Sequence, residues 1–202
     1  PLPVVLKAQV LSGKRALAGG IVVIESDEQL KSALSDLFGK TINKEKVTQV
    51  LAEEKIAIDK EFYFSLSYDT DVRGPVLTLS ASGGTGIEDR GVENYPVNPL
   101  NIQGSLEAIT SAIPKELITK LIQLFFDQDC TLLEINPWVL TADGQWSALD
   151  AKVKLDDSAV ARHEEWKFPP RGVPGYTPTQ NEIEAKKIDE GDYRGTAGSA
   201  YF

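Results

Sequence analysis

The segment 132–152 constrains the fold most strongly, because it has the pattern of a single β-hairpin. Two stretches suited to strands flank its centre, the tetrapeptide TADG at 141–144. A type I turn with Gly144 in the left-handed conformation suits this tetrapeptide and closes a short hairpin loop. In that register Asn136 lies opposite Asp150, so we expect their side chains to share one face of the hairpin.

Two oxygen-bearing side chains in opposed positions can hold one divalent cation. Opposed Cβ atoms lie about 5 Å apart, and Mg²⁺ takes carboxyl or amide oxygens at about 2.1 Å together with waters and substrate phosphates. Asn136 and Asp150 therefore form a candidate metal pair, and Lys152, opposite Glu134, would add a fixed positive charge nearby. The positions expected to face a core are Ile135, Val139, Leu149 and Val153.

The same pattern has a purely structural interpretation. A half-exposed sheet commonly has one polar face, on which Glu134 and Lys152 would form a surface ion pair. The register also depends on the turn, because a two-residue loop would shift the pairing by one residue. That shift would send Asn136 and Asp150 to opposite faces. The pattern of the hairpin alone leaves both interpretations open.

The N-terminal part of the chain predicts strands around one helix. Ser26 followed by Gln29 has the form of a capping box, and Gly39 is a typical helix end. The helix between them is expected to bury Leu30, Ala33, Leu34 and Leu37. The predicted strands are 4–11, 21–25 and 47–52, and residues 12–20 form a glycine-containing loop.

The rest of the chain mixes strands and helices without regular alternation. Strands are predicted at 62–68 and 75–81, joined by a turn at 71–74 and followed by a glycine-rich loop at 82–86. A helical stretch at 106–126 is divided by Pro114, which suits the first turn of a second helix. Its apolar side is formed by Leu117, Leu121, Leu124 and Phe125. Residues 168–178 predict a proline-rich linker or surface wrap, and 182–190 a short charged helix.

This order of elements favours an α+β class, with mixed sheets, an antiparallel hairpin and flanking helices. The composition excludes several other classes of protein. The 202 residues contain no apolar run near the ~18 that a membrane-spanning helix needs. A net charge of −9 makes general nucleic-acid binding a poor fit, although a nucleotide could bind through a few local cations and a metal.

Further features concern the setting of the chain. The single cysteine, Cys130, permits no intramolecular disulfide, so nothing favours an oxidising compartment. The chain has no methionine and opens directly into a strand, so we expect a piece of a longer protein. A cytoplasmic location is expected, or the mitochondrial matrix in a eukaryote.

Several motifs in order resemble one family. The sequence LEINP at 133–137, followed by ALDAK at 148–152, resembles the metal-binding hairpin of the ATP-grasp domain in succinyl-CoA synthetase β subunits. ATP-citrate lyase and malate–CoA ligase have related domains. The opening, VLKAQVLSGKRALAGG at 5–20, resembles their phosphate-loop strand, and KEFY at 60–63 and the Gly83-Gly84 loop before Ile87-Glu88 follow in order. The resemblance covers about residues 4–165 and implies a partial ATP-grasp fold.

The resemblance implies nucleotide-binding roles at matching positions. Lys7 matches the strand lysine that reaches the nucleotide phosphates, although a strand lysine facing solvent would fit the same pattern. Lys14, Arg15 and Ala16 lie in the loop that covers the triphosphate. This loop departs from the family, which usually has Gly-Arg-Gly-Lys where this chain has KRAL at 14–17.

Further positions complete the implied site. Glu53 matches a hinge carboxylate that contacts adenine or ribose, Ile56 is a further nucleotide-binding position, and Glu61 matches a second nucleotide-contacting carboxylate. Surface charge is the alternative interpretation of both glutamates. Asn136 and Asp150 match the Mg²⁺ ligands. Ser82 stands where a glutamate often precedes the glycine pair in this family.

The resemblance also implies the organisation and the chemistry. Residues 1–53 would form the small phosphate-loop subdomain, 54–166 the central subdomain with the metal hairpin, and 167–202 a linker toward a CoA-ligase domain. The whole would be an ADP- or GDP-forming acid–CoA ligase of the tricarboxylic acid cycle. Its domain would hold Mg²⁺ with ATP or GTP. A partner α subunit or later domain would supply the phosphorylated histidine and bind CoA and the carboxylic acid.

No catalytic residue is expected in this chain itself. His163, the only histidine, is interpreted as structural or surface-exposed, and Cys130 as a buried small apolar residue. Trp138 and Trp146 are expected to pack under a neighbouring helix. A second candidate function is a subunit-contact module that has lost catalysis, which the altered loop at 14–17 favours.

Overall fold

The computed structural model describes residues 2–84, 91–167 and 178–191. The chain divides into two units, one formed by residues 1–56 and 168–202 and the other by 57–167. The predicted boundary after residue 53 lies inside the last strand of the first unit, which runs to Glu54. The predicted positions Ile87 and Glu88, and most of the proline-rich stretch at 168–178, lie outside the described residues.

The first unit is a small antiparallel sheet with one covering helix. Its elements are β1 (Val4–Ala8), β2 (Ile21–Ile24), α1 (Asp27–Gly39), β3 (Thr41–Ile42), β4 (Glu45–Lys46) and β5 (Val50–Glu54). The three-stranded sheet has the order β2-β1-β5, so β1 is central and pairs on both sides. The core of this unit contains Leu6, Ala8, Ile24, Ala33, Leu37, Ile42 and Val47.

The third predicted strand begins later than expected, because a two-residue turn and a short ribbon precede it. Asn43 and Lys44 both have positive φ, 48° and 70°, as a type I′ turn requires, and they join β3 to β4. The chain after this ribbon reaches the sheet only at Val50, so the strand predicted to begin at residue 47 begins later. Val47 itself is buried in the core as part of the connection.

Helix α1 ends at Gly39 as predicted, but its start differs from a capping box. Ser26 occupies the N-cap position without a side-chain bond to the helix backbone. Instead, the Ser26 side chain hydrogen-bonds Glu28 and lowers the pKa of that carboxyl group. Gln29 Oε1 accepts from the main-chain N of Glu25 at 3.0 Å, one residue before the cap.

The second unit is built on a six-stranded antiparallel sheet. Its elements are β6 (Ile58–Asp69), β7 (Gly74–Ser80), β8 (Glu93–Pro96), α2 (Ile102–Glu107), α3 (Lys115–Asp127), β9 (Cys130–Thr141), β10 (Trp146–Ala148), β11 (Ala151–Leu155) and a 3₁₀ helix (Asp157–Arg162). The strand order is β10-β9-β6-β7-β8, and β11 also pairs with β9. With the helices, this is an α+β architecture, which confirms the predicted fold class.

The buried face of helix α3 overlaps the predicted apolar side, since Phe125 is fully buried and Leu117 and Leu121 pack against the core. Ile118, Ile122 and Phe125 are fully buried, at the spacing of one helical face. Leu124, predicted on the apolar side, is 44% exposed because it falls beside that face. Pro114 occupies the N-cap position, one residue before the helix, and the chain between α2 and α3 is not helical.

The two tryptophans of the hairpin pack against other aromatic rings of the sheet. Trp138 lies edge-on to Phe64 with ring centroids 5.8 Å apart, and Trp146 lies 5.0 Å from Phe62. The two indoles also contact each other at 5.6 Å. Trp138 also lies in the core cluster that contains Ile118 and Ile122 of helix α3, and Trp146 packs against that cluster, so the ring contacts add to the expected packing.

One helix lies in the C-terminal part of the chain. Helix α4 spans Gln180–Gly191 and contains the predicted charged helix. Among the residues described, none of the helices has the length and apolar character needed to cross a bilayer.

Candidate functional site

The hairpin has the register that the sequence predicts. Strand β9 pairs with β11 so that Glu134 lies opposite Lys152. The main-chain N of Asn136 donates to the carbonyl O of Asp150 at 3.1 Å. The pairs Trp138–Ala148 and Ile135–Ala151 on either side also set Asn136 opposite Asp150, which lies between β10 and β11. Main-chain pairing thus sets the two candidate metal ligands opposite each other, and the shared face of their side chains stays a prediction.

The turn that sets this register has the predicted form. Gly144 has a φ of +82°, and its main-chain N donates to the carbonyl O of Thr141 at 2.9 Å. Thr141 also binds Gln145 through both main chain and side chain, with Thr141 N donating to Gln145 O at 2.8 Å. These bonds exclude the two-residue loop and its shifted pairing.

The residues predicted to face one core do not all share a face, because the irregular ladder pairs Ile135 with Phe64 but Val139 with Glu61. Ile135 and Val139 are buried, but Val153 is 50% exposed and Leu149 is half-buried. The difference follows from position, since β9 lies inside the sheet whereas β11 pairs with β9 alone. An edge strand leaves one side of its residues open to solvent.

A glycine turn adds a contact that the sequence analysis did not assign. Asn136 Oδ1 accepts a hydrogen bond of 2.7 Å from the main-chain N of Gly84. The preceding residue, Gly83, donates from its main-chain N to the carbonyl O of Glu61 at 3.1 Å. The second unit therefore gathers Glu61, the glycine turn, Asn136 and Asp150 around two neighbouring strands, β6 and β9.

The donor set of this cluster fits a hard cation that shares its coordination with a substrate. Asn136 Oδ1 keeps a second lone pair beyond its bond to Gly84, and Asp150 supplies a carboxylate. Among the described residues, no group of three or more His, Cys, Asp or Glu side chains could enclose a metal by itself. Mg²⁺ commonly takes one or two protein oxygens and completes its shell with water and phosphate oxygens.

In the first unit, the structure brings Lys7 and Glu53 together. Val5 pairs with Glu53 and Lys7 with Leu51 across β1 and β5, so Lys7 and Glu53 are diagonal neighbours on one face. Lys7 Nζ forms an ion pair with Glu53 Oε2, and the Lys7 side chain is only 10% exposed. Lys7 is therefore not a solvent-facing strand lysine, and its ammonium has the anionic partner that a largely buried charge needs.

The loop expected to cover a triphosphate presents its residues unequally. Lys14 is exposed and has a φ of +61°, a conformation that favours glycine. Arg15 is half-buried, and its Nη1 donates to the carbonyl O of Ala8 at 3.1 Å. Ala16 is exposed, and Leu17 is 71% exposed. The loop thus directs its arginine toward the end of β1, while Lys14 lies at its surface.

The β3–β4 ribbon holds the start of this loop, which the sequence analysis did not anticipate. The Glu45 carboxylate accepts from the main-chain N of Leu11 at 3.1 and 2.9 Å. Asn43 Nδ2 donates to the carbonyl O of Gly13 at 3.0 Å. The pair Asn43-Lys44 carries a turn signal, but no local pattern indicates that the turn lies beside a loop thirty residues earlier.

The remaining predicted residues occupy less constrained positions. Ile56 follows β5 as the last residue of the first segment of its unit, and it is 36% exposed. Glu61 is half-buried on β6, and the ladder places it opposite Val139. Lys7 and Glu53 belong to one unit, and Glu61, Asn136 and Asp150 belong to the other.

His163 is structural rather than surface-exposed. The residue is only 7% exposed. Its ring stacks on Trp166 with centroids 4.0 Å apart, and its two nitrogens bond Glu165 and Asp129 at 2.8 Å. The hydrogen bonds to Glu165 and to Asp129 raise the pKa of His163. Hydrogen bonds from Arg162 and His163 in turn lower the pKa of Asp129. This set of contacts, here called the histidine clasp, consists of Asp129, Arg162, His163, Glu165 and Trp166.

Cys130 is buried directly after the clasp residue Asp129. Burial raises the pKa of its thiol, with the charge of Asp129 as a smaller cause in the same direction. A thiol that resists ionisation is a poor nucleophile. The prediction of a buried small apolar residue is confirmed.

Comparisons with known proteins match this chain to an ATP-grasp domain and to proteins related to it. A family model described as an ATP-grasp domain matches residues 2–103, about half of the chain. The β subunit of ADP-forming succinate–CoA ligase from Methanocaldococcus jannaschii is 36% identical over 182 residues, which cover 82% of this chain and 50% of the relative. The corresponding subunit from Staphylothermus marinus is 37% identical over 181 residues, covering 81% of this chain and 48% of the relative.

A solved structure has a similar fold. ATP citrate lyase from Methanothrix soehngenii, in complex with citrate and coenzyme A, superposes with a TM-score of 0.73 at 25% identity. The similarity covers 95% of this chain and 48% of that chain. The chain spans about half the length of the curated relatives it matches.

Proposed function

The chain belongs to the ATP-grasp family, and from this premise we propose that it forms the nucleotide-binding part of an ADP- or GDP-forming acid–CoA ligase. The ligase would be of the succinyl-CoA synthetase β-subunit type, which the similarity to two such subunits supports. The observation that supports the proposal is the main-chain hydrogen bond that sets Asn136, with its amide, opposite Asp150, with its carboxylate, in the hairpin.

In the second unit, Asn136 and Asp150 would hold Mg²⁺ with ATP or GTP. When bound, the cation neutralises charge on the phosphates and so favours phosphoryl transfer. Asn136 presents Oδ1 as a neutral oxygen ligand, and Asp150 supplies the negative charge. Glu61, on the adjacent strand, would accept hydrogen bonds from the nucleotide.

In the first unit, Lys7 would contact the nucleotide phosphates. Glu53 holds the ammonium of Lys7 on the face of β1 and β5 and would contact the adenine or ribose. Ile56 offers a partly exposed apolar side chain as a further nucleotide contact. Lys14 would supply the charge of the loop. These groups bind and orient the nucleotide, which is the main requirement of phosphoryl transfer.

The histidine that accepts the phosphoryl group would come from elsewhere. His163, the chain's only histidine, has both ring nitrogens bonded to carboxylates and its ring stacked on Trp166. An α subunit or a later domain would therefore carry the phosphohistidine and bind CoA and the carboxylic acid. We place the complete enzyme in the cytoplasm, or in the mitochondrial matrix of a eukaryote, as part of the tricarboxylic acid cycle.

One observation favours a second candidate function, a subunit-contact module without catalysis. The loop at 14–17 lacks the glycines that let backbone N–H groups approach phosphate closely, and Arg15 donates into the carbonyl of Ala8. A loop arranged in this way would bind a triphosphate weakly. The two candidates differ in whether the chain binds Mg²⁺–nucleotide at all.

Isothermal titration calorimetry with Mg²⁺–ATP and Mg²⁺–GTP separates these candidates. The wild-type chain is expected to bind one of the two nucleotides, and Asp150→Ala to lose that binding. Asp71→Ala, an exposed acidic residue in the turn between β6 and β7, is the matched control and should bind like wild type. Equal binding by wild type and Asp150→Ala would refute the metal pair, and no binding by wild type would favour the contact module.

A further inference from the structure

We propose that the main-chain N–H of Gly84 fixes the orientation of the Asn136 side chain, so that Oδ1 rather than Nδ2 is presented at the metal pair. This makes Gly84 a positioning residue for the site. The inference rests on the proposed function, because it concerns how one of the proposed Mg²⁺ ligands is held before the cation arrives.

The hydrogen bond itself discriminates between the two ends of the amide. A main-chain N–H can only donate, and within the Asn136 side chain only Oδ1 can accept. The N···O distance of 2.7 Å is short for this type of bond. Rotation of the amide by 180° would bring the Nδ2 donors against the Gly84 donor. Because Mg²⁺ binds oxygen and not an amide nitrogen, the bond selects the orientation that can ligate.

The main chain of Asn136 is held from the opposite side. Its N donates to the O of Asp150, between β10 and β11, while its side chain accepts from the glycine turn on the other side. The pairing of β9 with β6 is irregular here, because Phe62 pairs with Trp138 but Phe64 pairs with Ile135. Such bulges redirect side chains, often beside functional sites.

Both glycines of the turn occupy positions that disfavour a side chain, Gly83 because of close backbone and Gly84 because of its φ. Gly84 has a φ of +86°, and a Cβ there would lie 2.9 Å from Glu61 Oε2. A Cβ on Gly83 would lie 2.5 Å from the carbonyl O of Phe62. The turn therefore lies close against β6, where Gly83 N also donates to Glu61 O, and from there it contacts Asn136 on β9. A Cβ at Gly84 would meet only the movable end of the Glu61 side chain, but the φ of +86° strains any L-residue there and so would shift the N–H that contacts Asn136.

Outer-shell hydrogen bonds of this kind influence metal affinity strongly. Removing a group that orients a metal ligand typically costs about 10–100-fold in metal affinity. Losing the Gly84 contact would let the Asn136 amide rotate, so part of the population would present Nδ2. A carboxylate at position 136 would not need this selection, because both of its oxygens can ligate.

A double-mutant cycle with Mn²⁺ as the probe tests the proposal. The dissociation constant of Mn²⁺ would be measured by electron paramagnetic resonance with saturating ATP, for Gly84→Ala, Asn136→Asp and the double variant. We expect Gly84→Ala to weaken Mn²⁺ binding about 10–100-fold with Asn at 136 and less than about threefold with Asp at 136. Gly74→Ala, where an added Cβ meets nothing within 4 Å, is the control and should leave binding unchanged.

Hydrogen exchange gives a readout that needs neither metal nor activity. The Gly84 amide proton should exchange slowly in wild type and at least about tenfold faster in Asn136→Ala, which leaves both glycines intact. Equal exchange in the two proteins overturns the proposal, even if Gly84→Ala fails to fold. The proposal is also overturned if Gly84→Ala weakens Mn²⁺ binding by the same factor with Asn and with Asp at position 136.

The outcomes also distinguish this inference from the proposed function. If wild type binds Mn²⁺–ATP and Gly84→Ala binds it equally well, only the role of Gly84 is refuted. If wild type shows no Mn²⁺–ATP binding, the proposed function fails, and the positioning role fails with it.

Discussion

The two candidate binding regions of this chain are held in place by different means. In the hairpin, main-chain pairing and a glycine at φ +82° place Asn136 opposite Asp150. In the loop at 12–20, side chains from a separate ribbon hold the backbone, with Glu45 bonded to Leu11 N. A site set by strand register tolerates changes at its surface, whereas the loop depends on a few side-chain contacts from the ribbon, those of Glu45 and Asn43.

The largest expected effect is the loss of nucleotide binding when the hairpin pair is broken. Asp150→Ala should weaken Mg²⁺–ATP binding by at least the ~10–100-fold that loss of an outer-shell partner causes, because it removes a ligand itself. The free energy of unfolding should change little, since the register is held by main-chain bonds. Calorimetric titration and urea unfolding measure the two quantities, and a large loss of stability would contradict the account of the hairpin.

Removing Glu45, which holds the start of the loop, should mainly lower the free energy of unfolding. Glu45→Ala removes the acceptor of the Leu11 N–H, and hydrogen bonds to charged groups contribute about 1.5–3 kcal/mol. We expect a loss of about 1–2 kcal/mol in the free energy of unfolding, because the contact is only partly buried. Urea denaturation of Glu45→Ala checks this against Glu54→Ala, an exposed glutamate on β5 that should cost less than about 0.5 kcal/mol. Similar values for the two variants would show that the ribbon does not hold the loop.

Two substitutions at residues with positive φ, one in each region, should change the free energy of unfolding in opposite directions. Gly144→Ala forces an L-residue to φ +82° in open space, so it should destabilise by about 1 kcal/mol. Lys14→Gly removes an L-residue from φ +61° and should stabilise by up to about 1 kcal/mol, while removing a charge from the loop. Thermal unfolding of both variants tests this. The same sign for both would mean that the local conformation does not determine their effects.

The histidine clasp should give the second unit a pH dependence that leaves the hairpin site unaffected. The raised pKa of His163 contributes stability that is fully present below the unfolded value of about 6.5 and is lost as the pH rises through the folded pKa. The lowered pKa values of Asp129 and Glu165 contribute stability present above about 4 and lost as the pH falls through their folded values.

The clasp is therefore complete between about pH 4.5 and 6.5. The stability difference between wild type and His163→Gln should be largest in that window and should shrink as the pH rises above it. Urea unfolding across pH 5–9 measures this difference. A difference that grows toward alkaline pH would show that His163 is neutral in the folded protein. Mg²⁺–ATP binding at pH 7 should be the same in both proteins.

Turn chemistry explains why the hairpin could be predicted. The turn at 141–144 favoured one of two possible registers, and the structure has that register, with Asn136 opposite Asp150. Val153 shows the limit of this reasoning, because its exposure depends on β11 being an edge strand. The choice of Ile118 over Leu124 as a buried residue likewise depends on which face of α3 meets the sheet.

The contacts of the loop and of the glycine turn could not be predicted in this way. Glu45 is 34 residues from Leu11, and Gly84 is 52 residues from Asn136. These hydrogen bonds form only after separate strands have paired, and no periodicity or turn signal in the sequence indicates them. The resemblance identified the Gly83-Gly84 motif as part of the family pattern, but only its position beside Asn136 suggests what it does.

Paramagnetic broadening by Mn²⁺–ATP tests the central claim, that Asn136 and Asp150 together hold a divalent cation with a nucleotide. In nuclear magnetic resonance spectra of the wild-type chain, the Asn136 side-chain amide and the Asp150 main-chain amide should broaden at the lowest Mn²⁺ concentration. Asp150→Ala should abolish this preference. Broadening that begins instead around the acidic turn of Asp69 and Asp71, or that is uniform over the chain, would contradict the claim and indicate general attraction to a protein of net charge −9.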